Sequence, residues 1–218
     1  AGIKVRGPLL ETQARALNPG FIKRCETGLP YVTVKLAMSL DGRTAMASGE
    51  SQWITGSAAR ADVQRLRAAS SAVITGIGSV LKDNPAMTVR EHQLNLDNAA
   101  EVVKRQPLRV IVDSQLRTPP LAQIIQLDGK VLIATARAEN TLSQTFPAKV
   151  ETLSLPDDGG RVDLTALLKA LAARECNEVL VEAGPILSGA FLQLGLVDKL
   201  VIYMAGKLMG SSAQPLMN

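Results

Sequence analysis

The sequence is poor in the side chains that support metal and nucleophile chemistry. Its 218 residues include only two cysteines and one histidine. Cys25 and Cys176 are far apart, and neither has a second cysteine or a histidine at metal-ligand spacing. His92 lies in a polar stretch, EHQLNLDN. Zinc-hydrolase chemistry and a Ser-His-Asp triad are thereby excluded, and no bound metal is expected. Aromatic residues make up 3% of the chain, which leaves few platforms for stacking single-stranded nucleic acid. There is no like-charge block, low-complexity tract or internal repeat. No apolar run approaches the roughly 20 residues needed to cross a bilayer. The first residues, AGIKVRGPLLETQAR, lack the apolar stretch and cleavage site of a signal peptide. The expectation is a cytoplasmic protein with neither a membrane nor a nucleic-acid partner.

What remains is a compact α/β pattern. The chain is 46% hydrophobic and 20% charged, enough apolar material for one core. Its net charge of +4 suits small anionic ligands without demonstrating them. Residues 10–17 (LETQARAL) read as a short helix, followed by the turn signal Asn18-Pro19-Gly20 and a second helical piece ending at Gly28. Strands are expected at 31–37, 72–75, 108–112, 130–134, 178–182 and 199–204. Between them, helices are expected at 57–68, capped by Ser57, and after Asp163, where Leu164, Leu167, Leu168 and Leu171 form one stripe. A further helix is expected over 186–194. Strands that are mostly continuous in apolar residues and alternate with helices predict a largely parallel sheet covered on both faces.

Three strand ends carry chemistry-bearing residues, and ligands bind beyond such ends in open α/β sheets. Thr75-Gly76-Ile77-Gly78-Ser79 offers glycines and a helix start, suited to a phosphate or simply to a tight turn. Glu182-Ala183-Gly184-Pro185 sets a carboxylate after a buried strand, where it needs a ligand or a cation. Gly189, inside the following helix, suggests close packing. Asp113-Ser114-Gln115-Leu116-Arg117 supplies a hydroxyl and a guanidinium suited to an anion, or only a solvated loop. Arg60 and Arg67 are seven residues apart on the helix at 57–68, with Gln64 between them. Asp83 and Arg90 flank a loop stiffened by Pro85, and Asp41-Gly42 reads as turn chemistry. Trp53, the only tryptophan, stands among polar residues.

Taken in order, KLAMSLDGRTA, SGESQWIT, RADVQRLRA, TGIGSVLKDNPAMTVR, VDSQLRTP, VLVEAGPILSGAFL and GLVDKLVIYMAGKLMGS resemble the reductase domain of the bifunctional deaminase/reductase of bacterial riboflavin biosynthesis. The resemblance runs from about Pro30 to the end and implies a dihydrofolate-reductase-like fold. Residues 1–29 look like the tail of that family's zinc deaminase domain plus a linker. The deaminase signature, a His-x-Glu with a later Pro-Cys-x-x-Cys, does not occur. The family's closing strands are expected after residue 218.

The resemblance implies NADPH as cofactor, held by Ala37, Trp53, Ser79, Asp83, Ser114 and the run Gly184, Pro185, Ile186, Leu187, Ser188, Gly189 and Ala190. To these the residues themselves add Arg117, as a partner for the adenosine 2′-phosphate. Ser51, Arg67, Met87, Arg90 and Glu182 are implied to hold a phosphorylated pyrimidine nucleotide, 5-amino-6-(5-phosphoribosylamino)uracil, whose ribosyl group is reduced to ribityl. Lys35, Asp41 and Glu182 are the candidates for handling the proton, Lys35 first. A homodimer is the common family state. Other readings are a reductase acting before deamination on the diaminopyrimidine nucleotide, a dihydrofolate reductase, and a nucleotide-binding fragment inactive through truncation. The deaminase-like start argues against the first of these.

Overall fold

The computed structural model describes residues 2–4, 6–45, 56–138 and 146–216. α1 (Glu11–Leu17) and α2 (Pro19–Thr27) lead into β1 (Tyr31–Ser39) and a short β2 (Arg43–Ala45). Next come α3 (Ser57–Ala69), β3 (Ala72–Gly76), α4 (Ile77–Asp83), α5 (Glu91–Leu94) and α6 (Ala99–Val102). β4 (Leu108–Val112), α7 (Gln123–Gln126), β5 (Val131–Thr135) and β6 (Val150–Ser154) follow. The described chain closes with α8 (Leu164–Ala173), β7 (Glu178–Val181), α9 (Pro185–Gln193), β8 (Lys199–Ala205) and β9 (Gln214–Pro215).

Seven strands pair in the order β6-β5-β4-β3-β7-β1-β8, and every pairing is parallel. β2 and β9 form a separate antiparallel pair. The chain adds β3 to β6 outward in one direction, then returns through α8 to insert β7 between β3 and β1. That insertion puts the carboxyl end of β7 at the point where the winding reverses, the ligand-binding crevice of open α/β sheets.

Period-two alternation sorts the side chains between two faces. Val32, Val34, Val179, Val181, Ala72 and Ile74 pack with Leu167, Leu168 and Leu171 of α8 and Phe191 of α9. Val73, Leu180, Ile111 and Ile133 pack on the other face with Val80 of α4, Ile124 and Ile125 of α7, and the half-buried Leu66 of α3. Asp163 caps α8 as expected, its carboxylate accepting from the Ala166 N–H at 2.9 Å. Ser57 does not cap α3. Gly56 is the N-cap and Ser57 is already the first helical residue, with no side-chain cap bond. The strand expected at 199–204 forms as β8, the last strand of the described sheet, and Leu200, Ile202 and Met204 on one of its faces are exposed. The largely parallel sheet is the one expected, and among the described residues this face of β8 is left uncovered.

α1 buries none of its residues, whereas α2 is fastened to the amino ends of the strands. Lys23 Nζ lies 2.5 Å from Asp198 Oδ2, which also accepts from the Val32 N–H at 2.7 Å. Arg24 Nε donates to Asn177 Oδ1 at 2.6 Å. Gly20 is buried against the backbone of Asn177, and a Cβ there would sit 2.6 Å from the Asn177 carbonyl oxygen.

Candidate active site at the carboxyl ends of the central strands

β7 ends at Val181, one residue earlier than expected, but the Glu182 N–H still donates to the Ile74 carbonyl at 2.9 Å. That bond continues the ladder and holds Glu182 level with the end of β3. The Glu182 side chain is 9% exposed and meets Arg67, itself 12% exposed, across 115 positions of sequence. Arg67 Nε lies 2.5 Å from Glu182 Oε1 and Nη2 lies 3.0 Å from Oε2, a two-pronged pairing. Nη1 donates to the Thr88 carbonyl at 3.0 Å. Burial pushes the Glu182 carboxyl up, but the Arg67 guanidinium and its hydrogen bonds, with help from Lys35, bring it below the ordinary glutamate value. Burial likewise opposes the charge of Arg67, and Glu182 outweighs it, so the guanidinium titrates above its ordinary value.

Lys35 projects from β1 on the same face, half-buried, because Val34 pairs with Val181 and the next step along each strand brings Lys35 level with Glu182. Ala37 follows two residues later, paired with Tyr203 of β8. The Tyr203 hydroxyl donates to Asp62 Oδ2 of α3 at 2.6 Å. Burial and that bond push the phenol above its ordinary value. α3 is thus tied to β7 by Arg67 and to β8 by Asp62, and between those two strands runs β1 with Lys35.

Asp41 is engaged elsewhere. It accepts from Ser39 Oγ at 2.5 Å, from the Met209 N–H at 3.1 Å and from the Gly210 N–H at 2.8 Å. The Ser39 bond first, then the backbone donors, hold its carboxyl down at about 2. An acid so far below neutrality does not donate a proton at pH 7, so Asp41 reads as the clamp between the turn after β1 and residues 207–210.

The glycine junctions lie side by side. β3 and β7 are neighbours, and a Cβ on Gly76 would meet the Leu187 side chain of α9 at 3.4 Å. Beyond Gly184 and Gly78 there is open space, with no heavy atom within 4 Å of an added Cβ. Pro185 begins α9 and no side chain caps it. Ser188 is buried and donates to the Ala183 carbonyl at 3.3 Å, while Gly189 is buried and Ile186 is 70% exposed. Leu187 and Ala190 pack partly into the core. Ser79 is half-buried, Asp83 and Arg117 are exposed, and Ser114 Oγ accepts from the Val162 N–H at 3.1 Å. Met87 is 4% exposed and Arg90 is exposed. Ser51 and Trp53 lie outside the described residues. Among the described residues, no three His, Cys, Asp or Glu side chains gather where they could hold a metal ion. No helix of the described chain is long and apolar enough to cross a membrane.

Sequence reasoning missed the backing of this site. Gln64, placed between Arg60 and Arg67 on an apparently basic face, is 4% exposed and holds the Arg90 loop by its amide. Its position on the inward side of α3, beside Val63, was the available signal. Asp62 and Tyr203 gave none, since only the fold brings them together.

Residues 30–218 match the family described as RibD C-terminal domain. The chain belongs to that family. It is 48% identical to the riboflavin biosynthesis protein RibD of Escherichia coli K12, over 99% of this chain and 59% of the relative. With the RibD of Haemophilus influenzae it shares 42% over 99% of this chain and 58% of the relative. The chain thus spans about three-fifths of those relatives. A Buchnera aphidicola protein named 5-amino-6-(5-phosphoribosylamino)uracil reductase is 36% identical, over 78% of this chain and 83% of that one. Among solved structures, Acinetobacter baumannii RibD superposes with a TM-score of 0.84 at 43% identity, over all of this chain and 57% of that one. The Saccharomyces riboflavin biosynthesis reductase Rib7, at 19% identity and a TM-score of 0.68, covers 94% of this chain and 87% of its own and shares the fold. The dihydrofolate-reductase-like α/β fold expected from the motifs is borne out.

Proposed function

We propose that the chain reduces the ribosyl group of 5-amino-6-(5-phosphoribosylamino)uracil to a ribityl chain, with NADPH as reductant. The observation that carries this reading is the Arg67–Glu182 pair, closed over the Lys35 strand beside two open glycine junctions. The Buchnera relative carries the name of this activity over most of its length.

Open space beyond Gly184 and Gly78, and a helix start without a side-chain cap, fit a dinucleotide whose pyrophosphate needs close backbone approach. Ala37, Ser79, Asp83, Ser114, Arg117 and Gly184 to Ala190 would hold that cofactor, together with Trp53. When bound, it supplies the hydride for carbon C1′ of the opened sugar. The chain's own task is to orient the two ligands and manage one proton at the imine nitrogen. Lys35, level with Glu182, is the better candidate for that proton, because the oxygens of Asp41 are already occupied. Arg67 neutralises Glu182, which leaves the exposed Arg90 as the cation for the substrate phosphate. Ser51 and Met87 complete the substrate contacts.

A homodimer, the common state of the family, is proposed as the assembly. Free Cys25 and Cys176 suit a reducing, cytoplasmic location. Residues 1–29 are proposed as the end of a deaminase domain and its linker, since the family match begins at residue 30 while the RibD relatives align over nearly the whole chain.

The test is loss of nicotinamide absorbance when the protein and NADPH meet each of two pyrimidine nucleotides. Oxidation with the aminouracil nucleotide is expected. Oxidation only with its diamino precursor, or cofactor binding without oxidation, would overturn the reading.

A further inference from the structure

Residues 84–90, between α4 and α5, run outside any strand or helix, and side chains hold the backbone of residues 88–90. Arg67 takes the Thr88 carbonyl. Gln106 takes both polar groups of Val89: its Oε1 accepts from the Val89 N–H at 2.9 Å and its Nε2 donates to the Val89 carbonyl at 3.1 Å. A carboxamide has the donor and acceptor of a peptide group, so Gln106 stands in for a paired strand residue. The same Nε2 donates to the Val103 carbonyl at 2.9 Å, which fixes the amide from behind. Gln64 then takes the next residue, its Oε1 accepting from the Arg90 N–H at 2.9 Å while its Nε2 donates to Gln93 Oε1 at 3.2 Å.

Three consecutive residues are thereby clamped by three side chains from two different parts of the chain. Val89 is buried and Met87, just before, has φ of 55°, a left-handed backbone that a non-glycine residue adopts only when its surroundings enforce it. Arg90 is the outward-facing end of this segment. Its side chain is exposed, and no partner for its guanidinium occurs among the described residues. A loop held this firmly, at the step before a free cation, is what a fixed anion contact requires.

We propose that Gln106 and Gln64 are positioning residues that set the reach of Arg90 toward the phosphate of the substrate. This rests on the substrate reading above. Neither glutamine touches the ligand, and both act through the backbone of residues 89 and 90.

The experiment is a kinetic cycle with Arg90→Ala, Gln106→Met and their combination. Gln106→Met should raise KM for the nucleotide about tenfold, the scale of one or two lost hydrogen bonds, with kcat and the KM for NADPH unchanged. In the Arg90→Ala background the same change should add nothing further. Gln106→Glu, which keeps the acceptor for the Val89 N–H and loses the donors, should fall between wild type and Gln106→Met. Gln64→Met gives an independent arm with the same expected signature. A Gln106→Met penalty that persists without Arg90, or one that appears in kcat, would overturn the proposal. Titration with ribose 5-phosphate separates it from the functional reading. Ribose 5-phosphate binding weakened about tenfold by Gln106→Met, with no NADPH oxidised in the presence of the aminouracil nucleotide, sinks the reaction and keeps the positioning role. Turnover with binding unchanged by Gln106→Met sinks the positioning role and keeps the reaction.

Discussion

Arg67 and Glu182 close a two-pronged ion pair in which Nε and Oε1 are 2.5 Å apart and both side chains are about nine-tenths withdrawn from solvent. It joins α3 to the carboxyl end of β7, where the winding of the sheet reverses. A pair this buried contributes less net stability than its geometry suggests, because both charges were taken from water. Breaking it is a different matter.

Arg67→Met leaves Glu182 buried without its cation and should destabilise the fold by about 3–5 kcal/mol. Arg67→Met with Glu182→Gln should cost less than Arg67→Met alone, since no charge remains stranded. Urea unfolding of the wild type and both variants measures this. Acid should weaken the wild type in the same direction. The folded carboxyl of Glu182 titrates below its ordinary 4.5, so its contribution is complete above that pH and fades as the pH drops beneath it.

Gly20→Ala should destabilise the seat of α2, although alanine is the better helix former by about 1 kcal/mol. The added Cβ would stand 2.6 Å from a backbone oxygen of Asn177, and backbone cannot swing aside. Limited proteolysis should cut the first 28 residues faster in this variant. An unchanged cleavage rate would show that α2 does not depend on this close approach.

Asp41→Asn should lower the melting temperature at pH 7 and lose that effect in acid. The folded carboxyl titrates at about 2 against an ordinary 3.8. Its stabilisation is therefore full above the ordinary value and disappears as the pH falls through the folded one. Melting curves of both proteins should differ at pH 7 and converge near the acid limit. A constant gap would mean that the carboxylate charge plays no part in the clamp.

Alkaline titration of the phenols reads the Tyr203–Asp62 tie. Both tyrosines are raised by burial above their ordinary 10.0, and Tyr203 is raised further by its bond to Asp62. Both phenolate transitions should thus have midpoints above the ordinary tyrosine value in the wild type, that of Tyr203 the higher. Asp62→Asn should bring one of the two transitions down, and Tyr203→Phe should remove that same transition. If Asp62→Asn leaves the curve unmoved, α3 is not held to β8 through this hydroxyl.

Much of the fold was legible because its signals were local. The leucine stripe after Asp163 needs only its own spacing to declare a helix, and apolar runs such as AVIT and the VLIA of residues 131–134 declare buried strands. β6 escaped because VETLS, at the sheet edge and half-exposed, alternates too weakly to stand out. Arg109 is more instructive. It lies in the strand LRVIV and is 1% exposed, with Nη2 held by the carbonyls of Leu127, Asp128 and Gly129. Only the later turn supplies those acceptors. The same holds at the site: Glu182 announced its need for a cation, but not that Arg67, rather than a ligand, would answer it.

Within six residues of α3, four side chains reach four separate places. Asp62 meets Tyr203, Gln64 the Arg90 backbone, Arg65 the Leu94 carbonyl at 3.3 Å, and Arg67 the end of β7. One helix therefore works as a template, and the spacing of these contacts is ruled by its rise per residue. Such an arrangement resists piecemeal revision. A kink or one-residue slip within 62–67 would move all four attachments together, whereas exchanging the segment whole, along with its partners, would preserve their geometry. Variation should enter this half of the molecule in blocks.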